Sequence, residues 1–486
     1  MRALAAVRAL AAIAAILVAW ALVGCGDPRP GTGSTLEARY TDRDGDGRLE
    51  RAAGEPLRGR TELAPPSRAV ARLALLAQFT DAHVRDAQSP ARVPFLNRLG
   101  EPFTSTFRPQ EALSSQVLAA AVRSIDALHP EAVVDSGDLI DNDQQNELDA
   151  ALAVLRGGRV DPDSGARGYD GVQASSNPDP FYYRPGVDAP RHPGLLSAAV
   201  RPFRSPGLRA PWLPVLGNHD VLVQGEIPAT PGTQAAAVGR RLMVSLDPYV
   251  RIPRSERALG LVDRLAAGEL PGTVIGVPPD PRRRELPSGA VVARLRATSG
   301  TGGRGPLLDY TFDVGRSMRG IVLDTIRRAA GGGGVVHPGQ LWWLRRELRA
   351  AGRRFVIVFS HQPLTSVAGR EQILSQLDRD PRVVATVAGD THHNAIAPRQ
   401  SPAGGYWMIQ TASLADYPQQ ARALALVRTA DGGVALETWM LDTWPGDRLA
   451  DTARELAYLD AQGGRPAGDA GGLLDRNVRL YLGRRP

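Results

Sequence analysis

Seven apolar runs of four to seven residues recur along the chain, and each is typical of a buried strand. They occupy residues 73–79, 132–135, 213–216, 320–324, 354–359, 383–388 and 406–411. Other stretches carry apolar side chains at helical spacing, which predicts helices over residues 111–128, 235–246, 256–267 and 339–351. Strands and helices that follow one another in this way favour an α/β fold.

Five of these runs end in side chains that bind metal ions or take part in acid–base chemistry. Open α/β sheets carry their functional groups at the C-terminal ends of the strands. Gly217 allows a sharp turn at such an end, with three polar residues directly after it. The residues at the five ends are Asp81 and His83, Asp138, Asn218 with His219 and Asp220, His361, and Asp390 with His392. Each motif alone is also compatible with a surface turn, so the evidence is their recurrence.

In this order the motifs resemble those of the calcineurin-like metallophosphoesterases. The pattern of that family runs Asp-x-His, Gly-Asp, Gly-Asn-His-Asp/Glu, a lone His and then Gly-His-x-His. The resemblance covers roughly residues 70–445, with insertions near 156–210 and 225–315, and residues 80–92 and 411–420 further resemble a secreted bacterial branch. It implies the metallo-dependent phosphatase fold, a four-layer αββα sandwich of two mixed sheets with the site at the strand ends.

The resemblance also implies a dinuclear metal site that hydrolyses phosphoesters. Two cations about 3.5–4 Å apart clamp a phosphoryl group and provide a metal-bound hydroxide at neutral pH. Carboxylate, imidazole and amide oxygen are suitable ligands for such ions. Carried over residue by residue, the ligands are Asp81, His83 and His392 for one metal, Asn218, His361 and Asp390 for the other, and Asp138 as the bridge. His219 would protonate the leaving oxygen as general acid, and Asp220 would orient His219.

One position departs from the family pattern, because Asp390 stands where the family has a metal-binding histidine. A carboxylate is still a competent ligand, so two divalent ions remain expected, with Mn²⁺, Fe²⁺ or Mg²⁺ favoured over Zn²⁺. The alternative is a weakened second site in a catalytically weak or silent surface lipoprotein that keeps the fold for ligand or partner binding. Position 141 is Asp rather than the Tyr that binds ferric iron in purple acid phosphatases, which disfavours that branch.

Composition and charge narrow the class of protein further. The apolar fraction of 43% and the charged fraction of 22% are those of an ordinary globular protein. The formal net charge is +7, and all 58 basic residues are arginines scattered along the chain. Residues 282–284 form the densest basic run, in a Pro-rich loop without interleaved aromatic residues. We therefore expect no nucleic-acid partner, and the phosphoester substrate is what the resemblance implies.

The N-terminus is typical of an exported lipoprotein. Arg2 and Arg8 precede a wholly apolar stretch over residues 10–23, which is too short for a confident membrane span. Residues 22–25 read Leu-Val-Gly-Cys, and Cys25 is the only cysteine of the chain. We predict a signal peptide over residues 1–24 and lipidation of Cys25, which would anchor the protein to the outer face of a bacterial membrane.

The segments that flank the predicted phosphoesterase domain carry weaker signals. Residues 25–69 are rich in Pro, Gly and acid and predict a tether, and residues 446–486 predict a C-terminal helical tail. Within the tether, Asp42, Asp44 and Asp46 have the spacing that begins an EF-hand calcium loop. Ala53 occupies the position of the bidentate acid, so a calcium site and a solvated acidic linker both stay open.

The lipid anchor yields a direct prediction. Cys25→Ser removes the only thiol that can be acylated, so this variant should move from the membrane fraction to the soluble fraction. Fractionation and immunoblotting of a bacterial host measure this distribution, with Ser34→Ala as a control that should stay with the membrane. A wild-type protein found in the soluble fraction would contradict the anchor.

Overall fold

The structure is a computed structural model that describes residues 32–99, 103–247, 249, 263–264, 269–329, 331–463 and 468–485. The predicted signal peptide and Cys25 lie outside the described residues, as does most of the helix predicted over residues 256–267. Within the described ranges, no helix combines the length and the hydropathy that a bilayer span requires.

Strands make up most of the regular structure. They are β1 (Ala38–Thr41), β2 (Glu50–Ala53), β3 (Arg58–Arg60), β4 (Ala69–Phe79), β5 (Ala132–Asp135), β6 (Gly158–Val160), β7 (Phe203–Ser205), β8 (Trp212–Pro214), β9 (Arg241–Leu246), β10 (Gly272–Gly276), β11 (Tyr310–Val314), β12 (Met318–Val322), β13 (Phe355–Phe359), β14 (Val383–Ala388), β15 (Ala395–Arg399), β16 (Tyr406–Gln410), β17 (Gln420–Thr429), β18 (Val434–Asp442) and β19 (Val478–Gly483). The helices are α1 (Ser114–Leu128), α2 (Gln145–Arg156), α3 (Leu195–Ala199), α4 (Pro231–Ala237), α5 (Ser288–Ser299), α6 (Gln340–Ala350), α7 (Arg370–Leu377) and α8 (Arg448–Gln462).

Two mixed sheets form the centre of the molecule. One has seven strands in the order β3-β19-β18-β17-β4-β5-β8, and the other has six in the order β11-β12-β13-β14-β16-β15. Strands β4, β5 and β8 run parallel to one another, and so do β12, β13, β14 and β16. Because parallel strands end at the same edge of a sheet, the polar residues after β4, β5 and β8 and after β13 and β14 can converge.

Side chains that alternate along the strands fill the layers on both sides of each sheet. In β13, Ile357 and Phe359 belong to the buried cluster between the sheets, whereas Val356 and Val358 face the cluster under α6 and α7. Helix α1 packs on β17 and β18 of the other sheet. Such strands, buried on both faces, read as continuous apolar runs. The predicted α/β fold, a four-layer αββα sandwich of two mixed sheets, is confirmed.

The flanking segments are more ordered than the predicted tether and helical tail. Residues 38–60 contain β1, β2 and β3, and β3 pairs with β19 at the edge of the seven-stranded sheet. Arg60 is buried there, where its guanidinium donates to the carbonyl of Ile396 and stacks on Trp407. In the tail, α8 is followed by strand β19. Its side chains Val478 and Leu480 alternate into the core, a period-two pattern rather than a helical one.

The two insertions differ in part from their predicted content. The helix predicted over residues 235–246 is a short helix, α4, followed by strand β9, which pairs with β10. In the earlier insertion, Phe181 and Tyr182 pack with Phe107, with ring centroids 5.0 to 6.1 Å apart. These aromatic side chains therefore hold the long loop on the domain.

Replacement of Leu76 by Ala tests the core between the sheets. Leu76 lies in β4, is 1% exposed and belongs to the central cluster, so Leu76→Ala should lower the free energy of unfolding by about 2–5 kcal/mol. Val70 lies at the start of the same strand and is 46% exposed, so Val70→Ala should change it by less than about 0.5 kcal/mol. Urea unfolding measures both, and equal effects would show that β4 is not buried as described.

Candidate metal centre

The backbone at the strand ends adopts a conformation that non-glycine residues rarely take. A positive φ turns each side chain out of the direction that a continuing strand would give it. Five candidate ligands share it, namely Asp81, His83, Asp138, Asp390 and His392, with φ of 52°, 40°, 53°, 69° and 57°. Strained residues of this kind persist where the surrounding structure fixes them, and they cluster at functional sites.

Three of the predicted ligands converge in a first cluster. Single ligand atoms of Asp81, His83 and His392 all lie within 4.8 Å of one another. The Nε2 atoms of His83 and His392 face each other at 3.2 Å, and His392 Nε2 lies 3.5 Å from Asp81 Oδ1. Burial, reinforced by His219, lowers the pKa of His83 to about 3, so its imidazole is neutral and can offer a lone pair. This donor set fits one divalent cation.

A second cluster adjoins the first through Asp81 and Asp138. Ligand atoms of both carboxylates and of His361 lie within 4.8 Å of one another. His361 Nε2 is 3.2 Å from Asp138 Oδ2 and 3.5 Å from Asp390 Oδ1. This nitrogen is buried and lies at ion-pair distance from both carboxylates. The carboxylates of Asp81, Asp138 and Asp390 therefore concentrate negative charge around it, which a second metal ion would balance.

Asp138 lies between the two clusters, and Asn218 lines the same cleft. Asp138 Oδ2 lies 3.8 Å from His83 Nε2 and 3.2 Å from His361 Nε2, so it stands between them. Asn218 lines the same cleft as Asp138 and Asp390. Its Oδ1 accepts from Gln362 Nε2 at 3.2 Å, and this oxygen is the atom available to a metal.

Each candidate histidine ligand is held by an acceptor on its other ring nitrogen. His83 Nδ1 lies 3.1 Å from Asp141 Oδ1, and His361 Nδ1 lies 2.8 Å from the carbonyl oxygen of Ser136. His392 Nδ1 lies 2.5 Å from a carboxylate oxygen of Asp416. Such partners fix the ring orientation and the tautomer of metal-binding histidines. No local spacing in the sequence links Asp141 or Asp416 to its histidine, so neither role is predicted from the residue order.

The predicted partner of His219 differs from the observed one. His219 Nδ1 lies 2.8 Å from the carbonyl oxygen of Asp141 and 3.6 Å from its carboxylate. The carboxylate of Asp220 instead accepts the backbone N–H groups of Gly217 and Ile140, at 2.8 and 3.2 Å. Consecutive residues in the turn point to different sides, so Asp220 shapes the turn while Asp141 orients the imidazole.

Two buried arginines balance the charge of Asp141. Arg85 Nη2 and Arg92 Nε lie 3.1 and 3.2 Å from its two carboxylate oxygens, and both arginines also contact Glu111. Burial alone would raise the pKa of Asp141, but Arg85 and Arg92 hold it well below its usual range. Both arginines are buried, so they stabilise the site from within the protein rather than from its surface.

An open cleft with a volume of about 490 Å³ gives access to the site. Thr104, Ser105 and Arg108 line this cleft together with the candidate ligands. His393 also lines the cleft and is exposed. The cleft therefore combines hydrogen-bond donors with the metal-binding residues, as binding of a phosphate group requires.

The acidic loop near the N-terminus forms a separate group. Carboxylate oxygens of Asp42, Asp44 and Asp46 lie within 4.8 Å of one another. Asp42 also accepts the backbone N–H groups of Gly45 and Gly47, at 2.7 and 3.0 Å. The calcium site at this loop stays a prediction.

Comparisons of sequence with known proteins give no match. No protein-family model matches the chain, and no curated protein matches it.

Several solved structures are similar in fold. They include a dimetal phosphatase from Danio rerio, with 12% identity, a TM-score of 0.37 and coverage of 77% of this chain and 100% of that chain. A sulfate thiohydrolase, SoxB, from Thermus thermophilus has 12% identity, a TM-score of 0.31 and coverage of 82% and 62%. A purple acid phosphatase from yellow lupin, Lupinus luteus, has 12% identity, a TM-score of 0.33 and coverage of 82% and 55%. The fold assignment itself rests on the two sheets and helices described above.

Replacement of Gly389 by Ala tests the packing of the first cluster. A Cβ at this position would overlap Thr80 Oγ1 and lie 2.6 Å from Asp81 Oδ2, and both side chains are fully buried. Gly389→Ala should therefore displace the Asp81 carboxylate and lower the amount of metal bound. Gly289→Ala is the matched control, because a Cβ there meets nothing within 4 Å. Elemental analysis of both variants measures the effect, and equal metal contents would contradict the described packing.

Proposed function

We propose that the protein is a metal-dependent phosphoester hydrolase of the calcineurin-like metallophosphoesterase family. The observation that carries this proposal is the convergence of ligand atoms from two sheets. The Nε2 atoms of His83 and His392 face each other at 3.2 Å, and the buried Nε2 of His361 faces the carboxylates of Asp138 and Asp390 at 3.2 and 3.5 Å. The donor set of nitrogen and oxygen atoms is suited to two divalent ions.

Seven side chains would hold the two ions. Those of the first site are Asp81, His83 and His392, those of the second are Asn218, His361 and Asp390, and Asp138 is shared. When bound, the ions supply Lewis acidity for the phosphoryl group and lower the pKa of a bound water molecule. Because Asp390 adds a carboxylate where the family has an imidazole, the second site should favour Mn²⁺, Fe²⁺ or Mg²⁺ over Zn²⁺.

His219 would protonate the leaving group. A carbonyl oxygen can only accept a hydrogen bond, so His219 Nδ1 donates to Asp141, and Nε2 is the nitrogen that exchanges a proton in the cleft. The ring lies 4.4 Å from that of His83 at an interplanar angle of 84°, which keeps it beside the metal ligands. Gly225 leaves room for the imidazole, because a Cβ there would overlap the ring. These positions support a general-acid role for His219.

We place this activity at the cell surface. The support is the sequence over residues 22–25, in which an apolar stretch leads into the single cysteine.

The activity is tested with generic phosphate monoesters and diesters and with Mn²⁺, Mg²⁺, Fe²⁺ and Zn²⁺ in turn. His219→Ala should keep its metal and lose about 10²–10⁴-fold in kcat, because it removes the proton donor but no ligand. His129→Asn is the matched control, since His129 is exposed at the end of α1 with a φ of 53° that Asn tolerates.

Asp390→His should shift the metal preference of the enzyme towards Zn²⁺. An unchanged preference would contradict the role given to Asp390. A wild-type protein that binds metal but hydrolyses neither class of ester would favour the silent lipoprotein, and one that binds no metal would contradict the site.

A further inference from the structure

A salt bridge joins the wall of the cleft to one of the candidate metal ligands. Arg108 Nε lies 2.5 Å from Asp416 Oδ1, and Arg108 Nη2 lies 2.9 Å from Asp416 Oδ2. The same Oδ2 atom lies 2.5 Å from His392 Nδ1. The guanidinium therefore forms a bidentate salt bridge with the carboxylate that contacts His392. Bidentate arginine–carboxylate pairs are strong and directional.

The contacts determine which nitrogen of His392 is available to a metal. Asp416 is 1% exposed, and both of its carboxylate oxygens accept from the guanidinium of Arg108. A carboxylate paired in this way only accepts hydrogen bonds, so His392 Nδ1 donates to it. His392 Nε2 is then the nitrogen that faces Asp81 Oδ1 at 3.5 Å and His83 Nε2 at 3.2 Å.

The segment that leads into Arg108 is held by the loop that follows His219. Glu226, in that loop, accepts the backbone N–H groups of Thr104 and Ser105 at 2.5 and 3.0 Å. The backbone N–H of Arg108 donates to Glu111 at 3.1 Å. The side chain of Arg108 is only 11% exposed although it lines the cleft. Arg108 is thus a fixed part of the wall rather than a mobile surface charge.

We propose that Arg108 is a positioning residue for metal binding, which acts through Asp416 to hold His392 in its Nδ1–H tautomer with Nε2 directed at the first metal. The proposal rests on the metal site of the proposed function. It extends that site to a residue 284 positions from His392 in sequence, which touches none of the ligands directly.

The first test measures the affinity of the metal-free protein for Mn²⁺ by calorimetry. Asp416→Asn should weaken binding about 10–100-fold, and Arg108→Gln about tenfold, as expected when a partner of a metal ligand is lost. Arg108→Lys keeps the positive charge but cannot form the bidentate contact, so its Mn²⁺ affinity should lie between those of Arg108→Gln and the wild type. The double variant should bind no more weakly than Asp416→Asn alone, because Arg108 acts through Asp416.

Arg399→Gln is the matched control for these variants. Arg399 forms the same kind of bidentate salt bridge with Asp378, with both nitrogen–oxygen distances at 2.7 Å. This pair joins β15 to the residue that follows α7. Its Mn²⁺ affinity should equal that of the wild type. If Arg399→Gln lost as much Mn²⁺ affinity as Arg108→Gln, general destabilisation would explain both results, and the proposal would be contradicted.

The second test reads the tautomer directly. Nitrogen-15 spectra of the metal-free protein, labelled at histidine, assigned with His392→Gln and recorded above pH 9 where the ring is neutral, should show Nδ1 of His392 protonated in the wild type. Arg108→Gln should give a mixture of tautomers. An Arg108→Gln protein that keeps both the wild-type tautomer and the wild-type Mn²⁺ affinity would overturn the proposal.

The two proposals fail in different ways. A wild-type protein that hydrolyses esters while Arg108→Gln binds Mn²⁺ as tightly as wild type would remove the role of Arg108 and leave the proposed function intact. A wild-type protein that hydrolyses no ester, but whose Mn²⁺ affinity falls on Arg108→Gln, would remove the proposed function and leave the role of Arg108 intact.

Discussion

The buried carboxylate of Asp141 is the interaction on which the arrangement of the site depends. It lies between Arg85 and Arg92, accepts from His83, and its backbone carbonyl accepts from His219. A carboxylate taken out of water is costly unless charge and hydrogen bonds compensate for it, and here two guanidinium groups do so. The ionised side chain then serves as a fixed acceptor. A candidate metal ligand from one strand and a candidate acid from another take their orientation from the same residue.

The positions of the candidate ligands could be predicted from the sequence, because each follows an apolar run whose end is visible in the order of residues. The partners that orient them could not. Asp141 is separated from His83 by 58 positions and Asp416 from His392 by 24, and no local spacing pairs them. Asp220 stands next to the candidate acid in sequence, yet its carboxylate binds backbone N–H groups of the turn. Orientation depends on backbone angles that the residue order does not reveal.

The same limit explains the differences in the fold. The central strands are buried on both faces, so β4 and β14 appear as apolar runs and their existence follows from the sequence. Strand β3 reads Arg-Gly-Arg and lies at the edge of its sheet, where one side faces solvent and polar residues are tolerated. It is indistinguishable by composition from the tether around it. Pairing with β19, more than 400 positions away, makes it a strand.

The order of strands in the seven-stranded sheet also sets the time at which the protein can fold. Strand β4 is made early, but its partner β17 lies some 340 residues later, where Gln78 meets Arg422. Strand β19 comes almost last and is inserted between β3 and β18. The sheet therefore cannot close until β17 and β19 have both been synthesised, and contacts of such long range form slowly.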